Sequence, residues 1–191
     1  MSAASPLPNL LVCGTPGVGK TTLCSAASER FGLRHVSVGD VVRSRGYHAG
    51  TDARFDALVL DAASEDQLLD ELEPLMAAGG VLLEFHSVDF FPERWFQRVL
   101  VLRAGTAALY DRLTARGYAA RKVEENVMAE IMCVVAEEAR ESYAAGVVHE
   151  LQHETLEDME AALAVIGQWL EGEAAAAARA AAAGAGGGAP V

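Results

Sequence analysis

Residues 13–22 read CGTPGVGKTT, directly after the apolar run Leu10-Leu11-Val12. Such a run reads as a buried strand, and the residues from Thr21 to Phe31 read as a helix closed by Gly32. Between them, Gly14 to Thr21 fits the spacing G-x-x-x-x-G-K-[ST] of the P-loop. Glycines let the backbone curl with its N–H groups inward and keep side chains out of the way of a phosphate. The positive end of the following helix adds a favourable field. Lys20 is placed for the β- and γ-phosphates, and the Thr21 hydroxyl for Mg²⁺. A strand before and a helix after are the context this motif requires, so the stretch reads as a nucleoside triphosphate site.

Outward from that loop, strand and helix patterns alternate. Arg34 to Val38, Val81 to Leu83, Arg98 to Leu102 and Val147 to Leu151 read as four more short strands. Helices are expected from Gly39 to Arg45, Ser64 to Ala78, Thr106 to Arg116, Val123 to Tyr143 and Thr155 to Leu170. Ser64 followed by Gln67 suggests a capping box at the start of the second of these. Tyr47 to Asp61 is polar and weakly periodic and reads as a mobile surface segment. The pattern implies an α/β P-loop NTPase fold: a five-stranded parallel sheet with helices on both faces. Ligands of such sheets bind beyond the C-terminal strand ends.

The chain has 191 residues, half of them hydrophobic, and a formal net charge of -12. That length suits one domain, expected at 9–171, with a short extension at 1–8 and an Ala/Gly tail at 172–191 whose alanines extend the last helix. The acidic balance opposes phosphate backbones, so direct DNA binding is not expected, whereas a basic protein partner suits it. Cys13, Cys24 and Cys133 show no metal-ligand spacing and read as buried thiols. No secretory signal or membrane-spanning stretch is recognisable.

Three further groups of residues stand where chemistry is expected. Glu84 ends the strand Val81–Leu83, as an acidic Mg²⁺ partner opposite Thr21 would, and His86 follows it, placed to position water or donate to a phosphate. Arg43 in VGDVVR and Arg94 in DFFPERW suit an acceptor phosphate through the planar guanidinium fork. Phe90, Phe91, Trp95 and Phe96 read mainly as core. Arg112, Arg116, Arg121 and Lys122 in RLTARGYAARK form a cationic cluster suited to a lid over the triphosphate.

GTPGVGKTT, VGD, DFFPERW, RGY and VVHEL, in this order, resemble the adenylate kinase isoenzyme 6 family from about Pro8 to Leu170. The resemblance implies a nucleoside monophosphate kinase type of fold with a short lid. It implies phosphoryl transfer from ATP to AMP with Mg²⁺, giving ADP, together with an ATPase activity. It further implies a part in small ribosomal subunit biogenesis and rRNA maturation, through transient contact with pre-ribosomes and a basic small-subunit ribosomal protein, in nucleus and cytoplasm. By position, Gly17, Gly19, Lys20, Thr21 and Thr22 match the ATP loop and Arg116 the lid contact. Arg43 matches the AMP-facing arginine. The monophosphate region falls at about 37–60 and the lid at about 115–125. The family usually carries Asp where this chain has Glu84. A monomer is expected, with a homodimer as the alternative. Two other functions fit the residues: an ATPase-only assembly switch, and a P-loop kinase for another small acceptor such as shikimate or a nucleoside.

Overall fold

The alternation along the first strand assigns the layers. In the computed structural model, which describes residues 7–52 and 57–185, β1 (Leu10–Cys13) sends Leu10 and Val12 into one core and Leu11 and Cys13 into another. Successive side chains of a strand point to opposite faces, so a central strand feeds two cores only when both faces are covered. Helices α1 (Lys20–Phe31), α4 (Thr106–Ala115) and α7 (Leu156–Ala185) supply the cover on the Leu10 side, through Leu23, Leu109 and Ile166. Helices α2 (Val38–Arg45), α3 (Ala62–Ala78) and α6 (Val134–Ser142) cover the Leu11 side, through Val42, Leu72 and Ala139.

The sheet has five strands in the order β2-β5-β1-β6-β7, where β2 is Arg34–Ser37, β5 Val81–Glu84, β6 Arg98–Arg103 and β7 Val148–Gln152. Every pairing in it is parallel, as expected. The central position of β1 brings the P-loop to the middle of the C-terminal edge. Its neighbour β5 pairs Val12 with Glu84, which sets the acidic strand end beside the loop.

Three expectations about elements are corrected. Within the segment read as mobile surface, β3 (Gly50–Asp52) and β4 (Ala57–Val59) form an antiparallel hairpin, while 53–56 lie outside the described residues. Helix α3 starts earlier than expected and is capped by Asp61, whose side chain accepts from the Ser64 N–H at 3.0 Å, so Ser64 is the capped residue rather than the cap. The long helix expected over 123–143 is two: α5 (Ala120–Ile131) and α6, separated at Cys133, whose φ of 55° is left-handed. The break turns Val135, Ala136 and Ala139 into the second core, which a straight continuation of α5 would not reach. Helix α7 continues through the alanines to Ala185, and Glu173 pairs with Arg98 at 3.2 Å. No helix among the described residues is long and apolar enough to cross a membrane.

Candidate active site

Three glycines of the loop have positive φ: Gly14 at 141°, Gly17 at 98° and Gly19 at 102°. Their surroundings add a second constraint. A Cβ at Gly14 would lie 2.5 Å from the Leu102 carbonyl oxygen, one at Gly17 2.8 Å from Leu109 Cδ1, and one at Gly19 2.5 Å from His153 Nδ1. The loop is therefore pressed against β6, α4 and the end of β7. Gly17 and Gly19 act through this close packing, and neither lines the open cleft.

Lys20 opens α1 and is buried. Its ammonium donates to the carbonyls of Gly14 at 2.7 Å and Thr15 at 3.1 Å, folding over its own loop. Burial lowers its pKa to about 8, while the carboxylate of Glu84 works in the opposite direction. Thr21 donates its hydroxyl proton to Glu84 Oε1 at 2.6 Å, and the other carboxylate oxygen lies 2.8 Å from His35 Nε2. Burial of Glu84 would raise its pKa. The hydrogen bonds from His35 and Thr21, with the charge of Lys20, outweigh that and leave it below the ordinary value. It is ionised at neutral pH. A hydroxyl and a carboxylate joined by a hydrogen bond at the mouth of a phosphate loop are the hard oxygen donors Mg²⁺ prefers, so these residues fit that ion.

The cleft they floor has a volume of about 1160 Å³. Its lining includes Ser37, Asp40, Arg43 and Leu58 from the 37–60 region, after β2 on one side of β1, and Arg116, Tyr118, Lys122 and Asn126, after β6 on the other. Arg43 and Asp40 are ion-paired on α2. Arg116 caps the C-terminal end of α4 and Gly117 follows it with a φ of 75°. His86 lies on the cleft floor; its ring is exposed to the cleft yet deep within the protein's envelope. That enclosure, then the charges of Lys20 and Lys122, push its pKa well below the ordinary value. In its neutral form the imidazole can donate one N–H to a phosphate or orient a water.

Lys20, Thr21, Glu84, His86, Arg43 and Arg116 thus share one cleft. Thr22 is exposed on the first turn of α1, outside the cleft lining. Arg94 does not join them. It sits in a 3₁₀ turn, Glu93–Trp95, where it pairs with Glu73 of α3 at 3.0 Å, and the Trp95 indole N–H donates to the same carboxylate at 2.8 Å. Trp95 is buried among Phe91 and Phe96, and this anchor carries Arg94 away from the strand edge. Within the cationic cluster, Arg112 is a brace, donating to the Glu154 carbonyl at 2.8 Å and approaching those of His153 and Gly17. Arg121 pairs with Glu125.

Sequence reasoning missed Glu130. This buried carboxylate accepts from the Thr15 hydroxyl at 2.5 Å, Arg103 Nε at 2.6 Å and the Ala104 N–H at 3.1 Å. It ties the lid-side helix α5 to the phosphate loop. A glutamate in a helix of many glutamates carries no local signal of such a role.

The fold and this cleft define a P-loop kinase. The sequence model of the AAA domain family matches residues 10–133. The chain is 45% identical over 168 residues to the adenylate kinase isoenzyme 6 homolog of Caenorhabditis elegans, covering 87% of this chain and 90% of the relative. It is 42% identical over 164 residues to the homolog of that name from Schizosaccharomyces pombe, covering 86% of this chain and 92% of the relative. A shikimate kinase from Bacteroides thetaiotaomicron shares the fold, with a TM-score of 0.58 at 13% identity over 86% of this chain and 99% of that one. The chain belongs to the adenylate kinase isoenzyme 6 family.

Proposed function

We propose that the protein transfers the γ-phosphoryl group of ATP to AMP, releasing two ADP. The observation that carries this reading is the single cleft, lined by the phosphate-loop residues Thr15, Lys20 and Thr21 together with Arg43 and Arg116, whose helices follow strands on either side of β1. Its volume of about 1160 Å³ exceeds the roughly 300–1,000 Å³ common for one small ligand, as two nucleotides require. Lys20 leaves its loop carbonyls to meet the β- and γ-phosphates of the donor. Arg43 orients the acceptor phosphate for in-line attack, exchanging Asp40 for it. Arg116 neutralises charge on the transferring group. Thr21 and Glu84 would hold Mg²⁺, which supplies charge neutralisation at the phosphates when bound. Closure of the 115–125 wall over the cleft excludes water, the competing acceptor.

ATP hydrolysis is the second reading, favoured by the placement of Arg94. With that residue held on Glu73, only Arg43 of the two candidate arginines faces the acceptor side, so water competes more easily. In this reading turnover switches the grip of the protein on a basic small-subunit ribosomal protein, within small-subunit biogenesis in nucleus and cytoplasm. The net charge of -12 supports a basic partner. ADP release from Mg·ATP, measured with and without AMP, separates the two. A large AMP-dependent rise that disappears in Lys20→Met supports the kinase. A slow release indifferent to AMP rejects it in favour of the switch.

A further inference from the structure

We infer that Cys24, His35 and Glu84 form a binding site for one thiophilic divalent cation of the zinc class, and that filling it withdraws Glu84 from the nucleotide site. The second clause rests on the kinase reading; the first does not.

The fold assembles the three from separate elements. Cys24 lies three residues after Thr21 on α1, hence on the same helical face, and its side chain is fully buried against the sheet. In the parallel pairing of β2 with β5, His35 stands opposite Leu82, two residues before Glu84. Two residues along a strand restore the same face, so His35 and Glu84 both project toward α1. One ligand atom from each of the three lies within 4.8 Å of the others. His35 Nε2 and Glu84 Oε2 are already 2.8 Å apart.

The donor set is sulfur, imidazole nitrogen and carboxylate oxygen. That combination suits zinc and is poorly matched to magnesium, which prefers oxygen alone. Metal–ligand bonds of about 2.0–2.3 Å place neighbouring ligands of a tetrahedral site roughly 3.3–3.8 Å apart. The three ligand atoms, now within 4.8 Å of one another, must draw closer and the His35–Glu84 contact must open slightly, changes on the scale of side-chain rotation. The cation replaces the Cys24 thiol proton, which passes to solvent. Entry is provided by Glu84, which lines the cleft while Cys24 lies behind it. Three protein ligands leave a fourth position for water.

The two oxygens of Glu84 have separate tasks, Oε1 receiving Thr21 and Oε2 facing His35. A cation on Oε2 draws the carboxylate toward Cys24 and away from Thr21, so zinc inhibits turnover rather than supporting it.

The test is cobalt(II) titration of the full, metal-free, nucleotide-free chain. The expected result is one cobalt per chain, tetrahedral by its visible absorption, with a thiolate-to-cobalt charge-transfer band that zinc abolishes. Cys24→Ser removes the band and His35→Gln weakens cobalt binding at least about tenfold, since even the loss of an outer partner costs about 10–100-fold. Both variants are checked for a wild-type melting transition. Cys13→Ser and Cys133→Ser retain the band. Absence of a thiolate band in the wild type, or its survival in Cys24→Ser, overturns the site. AMP-dependent ADP formation without zinc is measured alongside. A band without such turnover rejects the kinase reading and leaves the site standing; turnover without a band does the reverse.

Discussion

Burying the Lys20 ammonium carries a cost that a bound triphosphate would offset. Its pKa is lowered from 10.5 to about 8 by burial, so the fold disfavours the charged form. Below pH 8 it is protonated whether folded or unfolded, and the cost of burying the charge falls fully on the fold. As pH rises through about 8 the folded state sheds the proton first, and stability from this group increases until the unfolded form titrates as well. Phosphate binding has the opposite requirement, because it needs the ammonium. ATP affinity is therefore expected to be flat below about pH 8 and to fall up to about tenfold per pH unit above it. Calorimetric titration near pH 9 in two buffers of different ionisation enthalpy should reveal proton uptake on binding. Equal heats in both buffers would refute this. Gly19 makes a purely geometric prediction. Its φ of 102° and the 2.5 Å approach of a Cβ to His153 Nδ1 are two separate penalties for Gly19→Ala. A left-handed backbone costs an alanine about 1–2 kcal/mol, and overpacking about 1–3 kcal/mol. The expected fall in melting temperature is about 4–20 °C, at roughly 2–4 °C per kcal/mol for this size. The bond from His153 Nδ1 to the Val18 carbonyl is broken at the same time. An unshifted melting curve would mean that the loop has room the structure denies it.

At the scale of elements, Glu130 links α5, β6 and the phosphate loop, and its replacement tests whether the lid side and the floor are coupled. A carboxylate accepts from Thr15, Arg103 and Ala104 together; alanine leaves the partly buried Arg103 without its shortest bond. Breaking one half of a buried ion pair costs about 3–5 kcal/mol. Glu130→Gln should cost less, since the amide keeps one oxygen but cannot serve both Thr15 and Arg103. In both variants ATP binding should weaken, because Thr15 lines the cleft beside Lys20. Chemical denaturation gives the stability and nucleotide titration the affinity. Unchanged ATP affinity in a folded Glu130→Ala protein would dissolve the coupling. The contrast between Glu130 and Glu84 explains what sequence could reveal. Glu84 ends an apolar strand, and Lys20 and Thr21 follow the glycines of the loop; each position is marked by its neighbours along the chain. Glu130, His35 and Cys24 gain their roles only from strand order and helix packing. The helix break at Cys133 had no Gly or Pro to announce it. The strands β3 and β4 are three residues each, too short for alternation to register. Arg94 was placed by the strand it follows, whereas Trp95 and Glu73 decide where it points.

For the whole molecule, the question is how much of the chain the folded unit needs. Two cores flank the sheet, and α7 closes the one on the α1 side with Ala162, Leu163 and Ile166 buried and Trp169 and Leu170 packed against it. Beyond Gly172, the helix offers one tertiary tie among the described residues, the pairing of Glu173 with Arg98. Isolated alanine helices of such length are marginal in water, so the segment after Glu173 owes its helicity to the packed turns before it and returns little to them. Surface ion pairs contribute about 0–1 kcal/mol, which bounds even the contribution of Glu173. A chain ending after Glu173 should melt within about 2 °C of the full protein, given the size scaling of the melting temperature. It should also turn over ATP at the same rate, because no residue of α7 lines the cleft. A chain ending after Ala162 removes Leu163 and Ile166 from a packed core, at about 2–5 kcal/mol for each large aliphatic side chain lost, and should not fold. If the longer truncation folds and the shorter one is destabilised, the anchoring of α7 lies in its alanines and the core described here does not hold the molecule together.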